Sequence, residues 1–133
     1  MLKQRIEIER ELKSKSPNII WKLMSTPEGL ARWIADDIRI SGDRLTFIWG
    51  NAWSHHETRH ATITALEKNR RLRFEWEDDN DSETNYVDMK LIKNELTDDF
   101  LLRITDFADK DDVEWLQDVW NRNMENLHRT SGL

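Results

Sequence analysis

Cysteine is absent from the 133 residues, which excludes a disulfide framework, a thiolate nucleophile and a thiolate-bound metal. Glycine and proline are scarce, at four and two. Single, scattered glycines cannot build a phosphate-cradling loop, and no Pro/Gly/Ser-rich linker divides the chain. No apolar run approaches the roughly 18–20 residues that a bilayer-crossing helix needs, so no membrane span is expected. Residues 1–15 alternate charged and aliphatic side chains without the apolar centre of a signal peptide, so the cytoplasm is the expected compartment. A basic cluster is missing as well. With 26 acidic against 20 basic residues the net charge is −6. In the longest basic run, Asn69-Arg70-Arg71-Leu72-Arg73, strand alternation divides the charges between two faces, so no nucleic-acid partner is expected.

What the chain has in quantity is tryptophan. Hydrophobic residues make up only 38%, but seven of them are indoles, and each large ring can bury roughly 150–250 Å². The length suits one core, so the expectation is one domain over residues 1–133, its core small in residue count and built from large pieces.

Periodicity then sets the order of elements. From Arg5 to Leu12 apolar and charged residues alternate, with Ile6, Ile8 and Leu12 on one side and Glu7, Glu9 and Glu11 on the other, as in a half-buried strand. Ser16-Pro17 and Thr26-Pro27 each place a hydroxyl before a proline, and apolar residues follow at helical spacing. Two short helices are expected there, with no basic face to read DNA. From Ile38 to Phe107 the period returns to two. Leu45, Phe47 and Trp49 share a face, as do Leu72, Phe74 and Trp76, then Val87, Met89 and Leu91, then Phe100, Leu102 and Ile104. Short polar turns between them predict an antiparallel meander, including a long strand from about Trp53 to Leu66. A last helix is expected from about Lys110 to Arg129. Aspartates stand at its start, His128 and Arg129 near its end and Gly132 beyond, and Val113, Leu116, Trp120, Met124 and Leu127 form one face. Trp115 falls off that face.

This order, together with Ser16-Pro17-Asn18-Ile19-Ile20-Trp21-Lys22-Leu23-Met24-Ser25-Thr26-Pro27-Glu28-Gly29-Leu30-Ala31-Arg32-Trp33, resembles the START-like superfamily, in its branch named for activators of the heat-shock-protein ATPase. Leu72-Arg73-Phe74-Glu75-Trp76 resembles that family's central strand, and the spacing of Trp120, Met124 and Leu127 its last helix. The resemblance implies an α+β helix-grip fold. In it a curved antiparallel sheet of about six strands wraps a long C-terminal helix, often around an apolar cavity, with two short helices after the first strand. Members often carry glycine between the third and fourth strands, where this chain has Ala52-Trp53-Ser54-His55-His56, so the cavity mouth or the edge strand is expected to differ.

Three function classes follow. The leading one is a non-enzymatic domain that binds a small apolar ligand, with Trp33, Phe47, Trp49, Phe74, Trp76, Trp120 and Met124 as candidate cavity residues. By default such large alternating aromatics are simply core. The second, implied by the resemblance alone, is a module that interacts with a chaperone ATPase; members that stimulate the ATPase pair this domain with a separate N-terminal one, not expected here. The third is a cyclase- or hydrolase-like enzyme using His56, His60 or Asp88. No nucleophile elbow surrounds any serine, so an enzyme has no positive support in the sequence. His55, His56 and His60 attract notice as a metal set, but two imidazoles on one strand face need a third ligand that the sequence does not identify. The acidic turn Glu77-Asp78-Asp79-Asn80-Asp81-Ser82-Glu83 lacks the glycine and the terminal glutamate of a calcium loop. No cofactor is implied. The chain is expected as a monomer or homodimer, and a protein partner is expected to use Trp53 and Trp115, which lie outside the tidiest core pattern.

Overall fold

The computed structural model describes residues 3–50, 56–81 and 83–133. The element order is β1 (Lys3–Leu12), α1 (Pro17–Ser25), α2 (Pro27–Leu30), β2 (Asp37–Ser41), β3 (Arg44–Gly50), β4 (His56–Glu67), β5 (Arg71–Trp76), β6 (Tyr86–Lys93), β7 (Phe100–Asp109) and α3 (Val113–Ser131). The strands join one antiparallel sheet in the order β1-β7-β6-β5-β4-β3-β2. The chain is thus an α+β helix-grip fold, with the two short helices after the first strand. Seven strands stand where about six were expected, because Asp37–Ser41 pairs along its whole length with β3 rather than ending in a loose turn.

Consecutive strands pair as neighbours except β1, which closes the far edge against β7 from Lys3↔Asp109 to Leu12↔Phe100. Between Ile63 and Ala65 the β4–β5 register shifts at a bulge, which bends the long strand and deepens the curve of the sheet. Alternation sorts the side chains onto two faces. Ile6, Leu45, Phe47, Ala61, Leu72, Phe74, Val87, Met89, Leu102 and Ile104 are buried on the inner face, toward α3.

The helix pair closes one end of this core. Thr26 accepts a hydrogen bond from the Gly29 N–H at 3.0 Å, whereas Ser16 makes no side-chain cap. Gly29 is needed for close approach: a Cβ there would lie 2.0 Å from the Lys22 carbonyl oxygen. Trp33 follows, fully buried, with its indole N–H donated to the Leu23 carbonyl at 2.9 Å. A short 3-10 turn over Lys110–Asp112 leads into α3, whose last carbonyls are met by the Gly132 N–H, donated to His128 at 2.7 Å from a left-handed conformation. On α3, Trp120, Met124 and Leu127 are buried, while Val113 and Leu116 are half-buried at the margin. Among the described residues no helix is long and apolar enough to cross a membrane.

Candidate functional site

Between α3 and the inner face of the sheet lies a cavity of about 500 Å³. Three pieces of the fold meet there. The turn after α2 supplies Ala31 to Asp36, the ends of β3, β4 and β5 supply Trp49, Arg59 and Trp76, and α3 supplies Trp115, Leu116, Val119, Trp120 and Arg122. Its size is that of pockets that enclose a small organic molecule.

Six aromatic rings and eight polar or charged side chains share the walls. Phe47 stacks on Trp49 at 5.7 Å between ring centres, and meets Phe74 and Trp76 at 5.2 Å each. Phe74 and Trp76 meet edge to face at 5.2 Å, and Trp33 faces Trp120 at 6.3 Å. Of the residues expected at a cavity, Trp33, Trp49, Phe74, Trp76 and Trp120 line it. Phe47 and Met124 are packed behind them in the core cluster. Trp115, 62% exposed, stands on the rim with Val119 and Arg122, one helical face away from Trp120. Trp53 and His55 lie outside the described residues, and His56 is described only as the first residue of β4.

The sequence reading missed the polar centre of this site. Asp106 on β7 lines the cavity, 8% exposed. Its Oδ2 accepts from the Trp120 indole N–H at 2.8 Å, and its Oδ1 from the Phe107 backbone N–H at 2.7 Å. Burial pushes its pKa up to about 6, and these two hydrogen bonds only partly oppose the shift. The signal was present in the alternation: Phe100, Leu102 and Ile104 continue by parity to Asp106 and Ala108, both buried. The inward apolar set read from this strand, Phe100, Leu102 and Ile104, stops one inward position short of it.

Arg59 is the second polar wall. It lies 3.7 Å over the Trp76 ring and grips Asp78 with two bonds of 2.8 and 2.9 Å, which hold the Asp78 carboxyl below its usual range. Asp36 accepts from the Gly50 N–H at 2.5 Å, and Trp49 donates to the Ile34 carbonyl at 2.8 Å, so the cavity mouth is tied to the first hairpin.

Two of the residues named for an enzymatic reading, His60 and Asp88, fall elsewhere. Ala61 points inward, so His60 points to the outer face, where its Nδ1 lies 3.0 Å from the Thr46 hydroxyl. Asp88 is buried on that same outer face beneath Arg71 and Arg73, at 2.9 and 3.4 Å. Neither reaches the cavity. Parity along the strands separates them from it.

A curved sheet gripping one helix around an aromatic cavity defines a helix-grip domain. The chain belongs to the START-like superfamily, whose domain model matches residues 1–133. Among solved structures, it is 38% identical to the protein BfR322 of Bacteroides fragilis, covering 98% of this chain and 92% of that one with a TM-score of 0.64. It shares its fold, at 20% identity and a TM-score of 0.72, with the Aha1 dimer of Colwellia psychrerythraea, over 93% of this chain and 92% of that one. The AHSA1-like protein of Aeromonas hydrophila is also similar, at 20% identity and a TM-score of 0.70, over 95% and 90% of the two chains. No curated protein matches the chain.

Proposed function

We propose that this START-like domain binds a small, largely apolar molecule between α3 and the sheet, without transforming it. The observation that carries this reading is the cavity of about 500 Å³ walled by Trp33, Trp49, Phe74, Trp76 and Trp120. A concave, aromatic-lined space of this size between a helix and a sheet, open to solvent along the Trp115 rim, supports a ligand site. Titration with the neutral fluorophore N-phenyl-1-naphthylamine tests it. One saturable site is expected, and Ala31→Trp, which fills the cavity from the α2 side, should weaken binding roughly tenfold or more by removing the volume the probe occupies. Unsaturable fluorescence, or affinity unchanged in the variant, would sink the reading.

A second reading, a protein-interaction module, has its own support. One neighbour of like fold is an Aha1 dimer, and Trp115 presents an exposed indole on the rim. If this surface pairs two copies or docks a chaperone ATPase, light scattering should show a mass that rises with concentration, or a pull-down should retain the ATPase. Trp115→Ala should abolish either effect. Monomeric behaviour with no retained ATPase would remove this reading and leave the first intact.

A further inference from the structure

The chain buries two aspartates in this sheet, and it treats them in opposite ways. Asp88 is 3% exposed and is wrapped by cations, with Arg71 at 2.9 Å, Arg73 at 3.4 Å and Lys90 at 3.9 Å. That is the usual condition of a buried carboxylate, because an unpaired charge out of water is costly. Asp106 is 8% exposed and has only two neutral N–H donors, with no cation in an ion pair among the described residues. The two cations whose fields reach it are committed elsewhere: Arg59 to Asp78, and Lys3 to Asp79. Asp106 also faces open space rather than packed protein, since it lines the cavity.

Resting on the cavity reading above, we propose that the missing counter-cation is the ligand's own. The site takes an aromatic or alkyl amine, its ammonium group on the carboxylate of Asp106 and its apolar body among Trp33, Trp49, Trp76 and Trp120. Three observations converge. A carboxylate buried without a positive partner gains most from a cation that arrives with its hydrogen-bond donors. Indoles line the same cavity as that carboxylate, and indole faces attract cations through the ring quadrupole. The stacking of Arg59 on Trp76 at 3.7 Å shows a ring of this wall already used in that way. The net charge of −6 adds a long-range field that draws cations in.

The proposal fixes the sign of a pH dependence. An ammonium ligand requires Asp106 ionised, so its affinity rises as pH increases through the titration of that carboxyl at about 6. A carboxylate ligand would show the reverse. The other charged groups on the cavity wall or rim are Arg32, Asp36, Glu57, Arg59 and Arg122, with Lys3 acting on Asp106 from β1. All of them remain in an Asp106→Asn variant, so the difference between the two profiles belongs to Asp106.

Three probes of one shape make the test: 2-naphthylmethylamine, 2-naphthylmethanol and 2-naphthoic acid, followed by calorimetry from about pH 5 to about pH 8. At the upper end the amine is expected to bind roughly tenfold tighter than the alcohol, the preference of a charge-assisted hydrogen bond over a neutral one. That preference should shrink toward pH 5 and vanish at every pH in Asp106→Asn. An acid that binds as tightly as the amine, or an amine preference that persists in the variant, overturns the proposal while leaving the cavity reading standing. Failure of all three probes overturns the cavity reading and this one with it. Should the variant not fold, the amine-to-alcohol ratio against pH in the unaltered protein decides alone: a flat ratio is the negative result.

Discussion

Trp120→Ala is expected to destabilise the domain by about 3–5 kcal/mol, the range for removing a large buried aromatic. Trp120 is 4% exposed, faces Trp33 across 6.3 Å and donates its indole N–H to Asp106. Truncation therefore acts twice. It removes the ring through which the middle of α3 is held against the sheet, and it leaves a buried carboxyl with one donor instead of two. Urea denaturation near neutral pH measures the sum. Trp120→Phe separates the parts, since it keeps most of the packing and loses only the donor, at about 1–3 kcal/mol. Because the cavity lies on one side of this indole, collapse of the walls after truncation would lower the loss toward 3 kcal/mol. A loss below about 1 kcal/mol would mean that α3 is held by Met124 and Leu127 alone, and the helix-grip account of stability would fail.

The comparison with the sequence turns on what parity can and cannot say. Alternation assigned the strands because one face of each is in contact with the core. Ile6 and Leu12 are buried and Glu7, Glu9 and Glu11 exposed, as the pattern of β1 requires. The two Ser/Thr-Pro signals placed both short helices, yet only Thr26 caps with its side chain. Whether a hydroxyl caps depends on backbone angles that the residue type alone does not fix. Parity also set His60 opposite Ala61 on β4, but it could not say that the His60 face looks away from α3; that depends on the pairing of β4 with β3 and β5.

The cavity shows a sharper division. Its aromatic walls were legible as residues that share inward faces, but the same pattern describes a solid core. What separates the two is how closely α3 approaches the sheet, a tertiary distance that the periodicity of single strands does not carry. Trp115 was legible as a residue off the gripping face. Its place on the rim follows from its neighbours, Val119 and Arg122, which continue the same strip of α3 along the cavity mouth. Asp106 broke the apolar pattern of β7 and so fell outside the inward set that ends at Ile104, although β7 runs on to Asp109. A polar residue at an inward position is the one irregularity that composition and periodicity treat as noise and that a binding site uses.

That irregularity gives the second large effect, in stability against pH. The rise of the Asp106 pKa from 3.8 to about 6 corresponds to about 3 kcal/mol between the two protonation states. Because the folded value is the raised one, the folded state holds its proton longer than the unfolded chain does. The contribution of this group is fully present below pH 3.8 and is lost as pH rises through about 6. Asp78 and Asp79, whose values are lowered by Arg59 and Lys3, act in the opposite sense, losing their contribution as pH falls. They are common to the native protein and to Asp106→Asn, so they cancel in the difference between the two. The asparagine has one acceptor oxygen where the carboxylate has two, so either Trp120 or Phe107 loses its partner, at about 1 kcal/mol. Near pH 4.5 the two proteins should therefore lie within about 1 kcal/mol of each other. Near pH 8 the variant should be the more stable by about 2 kcal/mol, because it no longer buries a charge without a counter-ion. Denaturation curves that stay parallel from pH 4.5 to pH 8 would show that Asp106 is solvated in the folded state. A saturating amine stabilises the native protein at every pH by mass action; a buried, unpaired Asp106 requires that this stabilisation grow as pH rises through about 6, whereas a solvated Asp106 leaves it flat across that range.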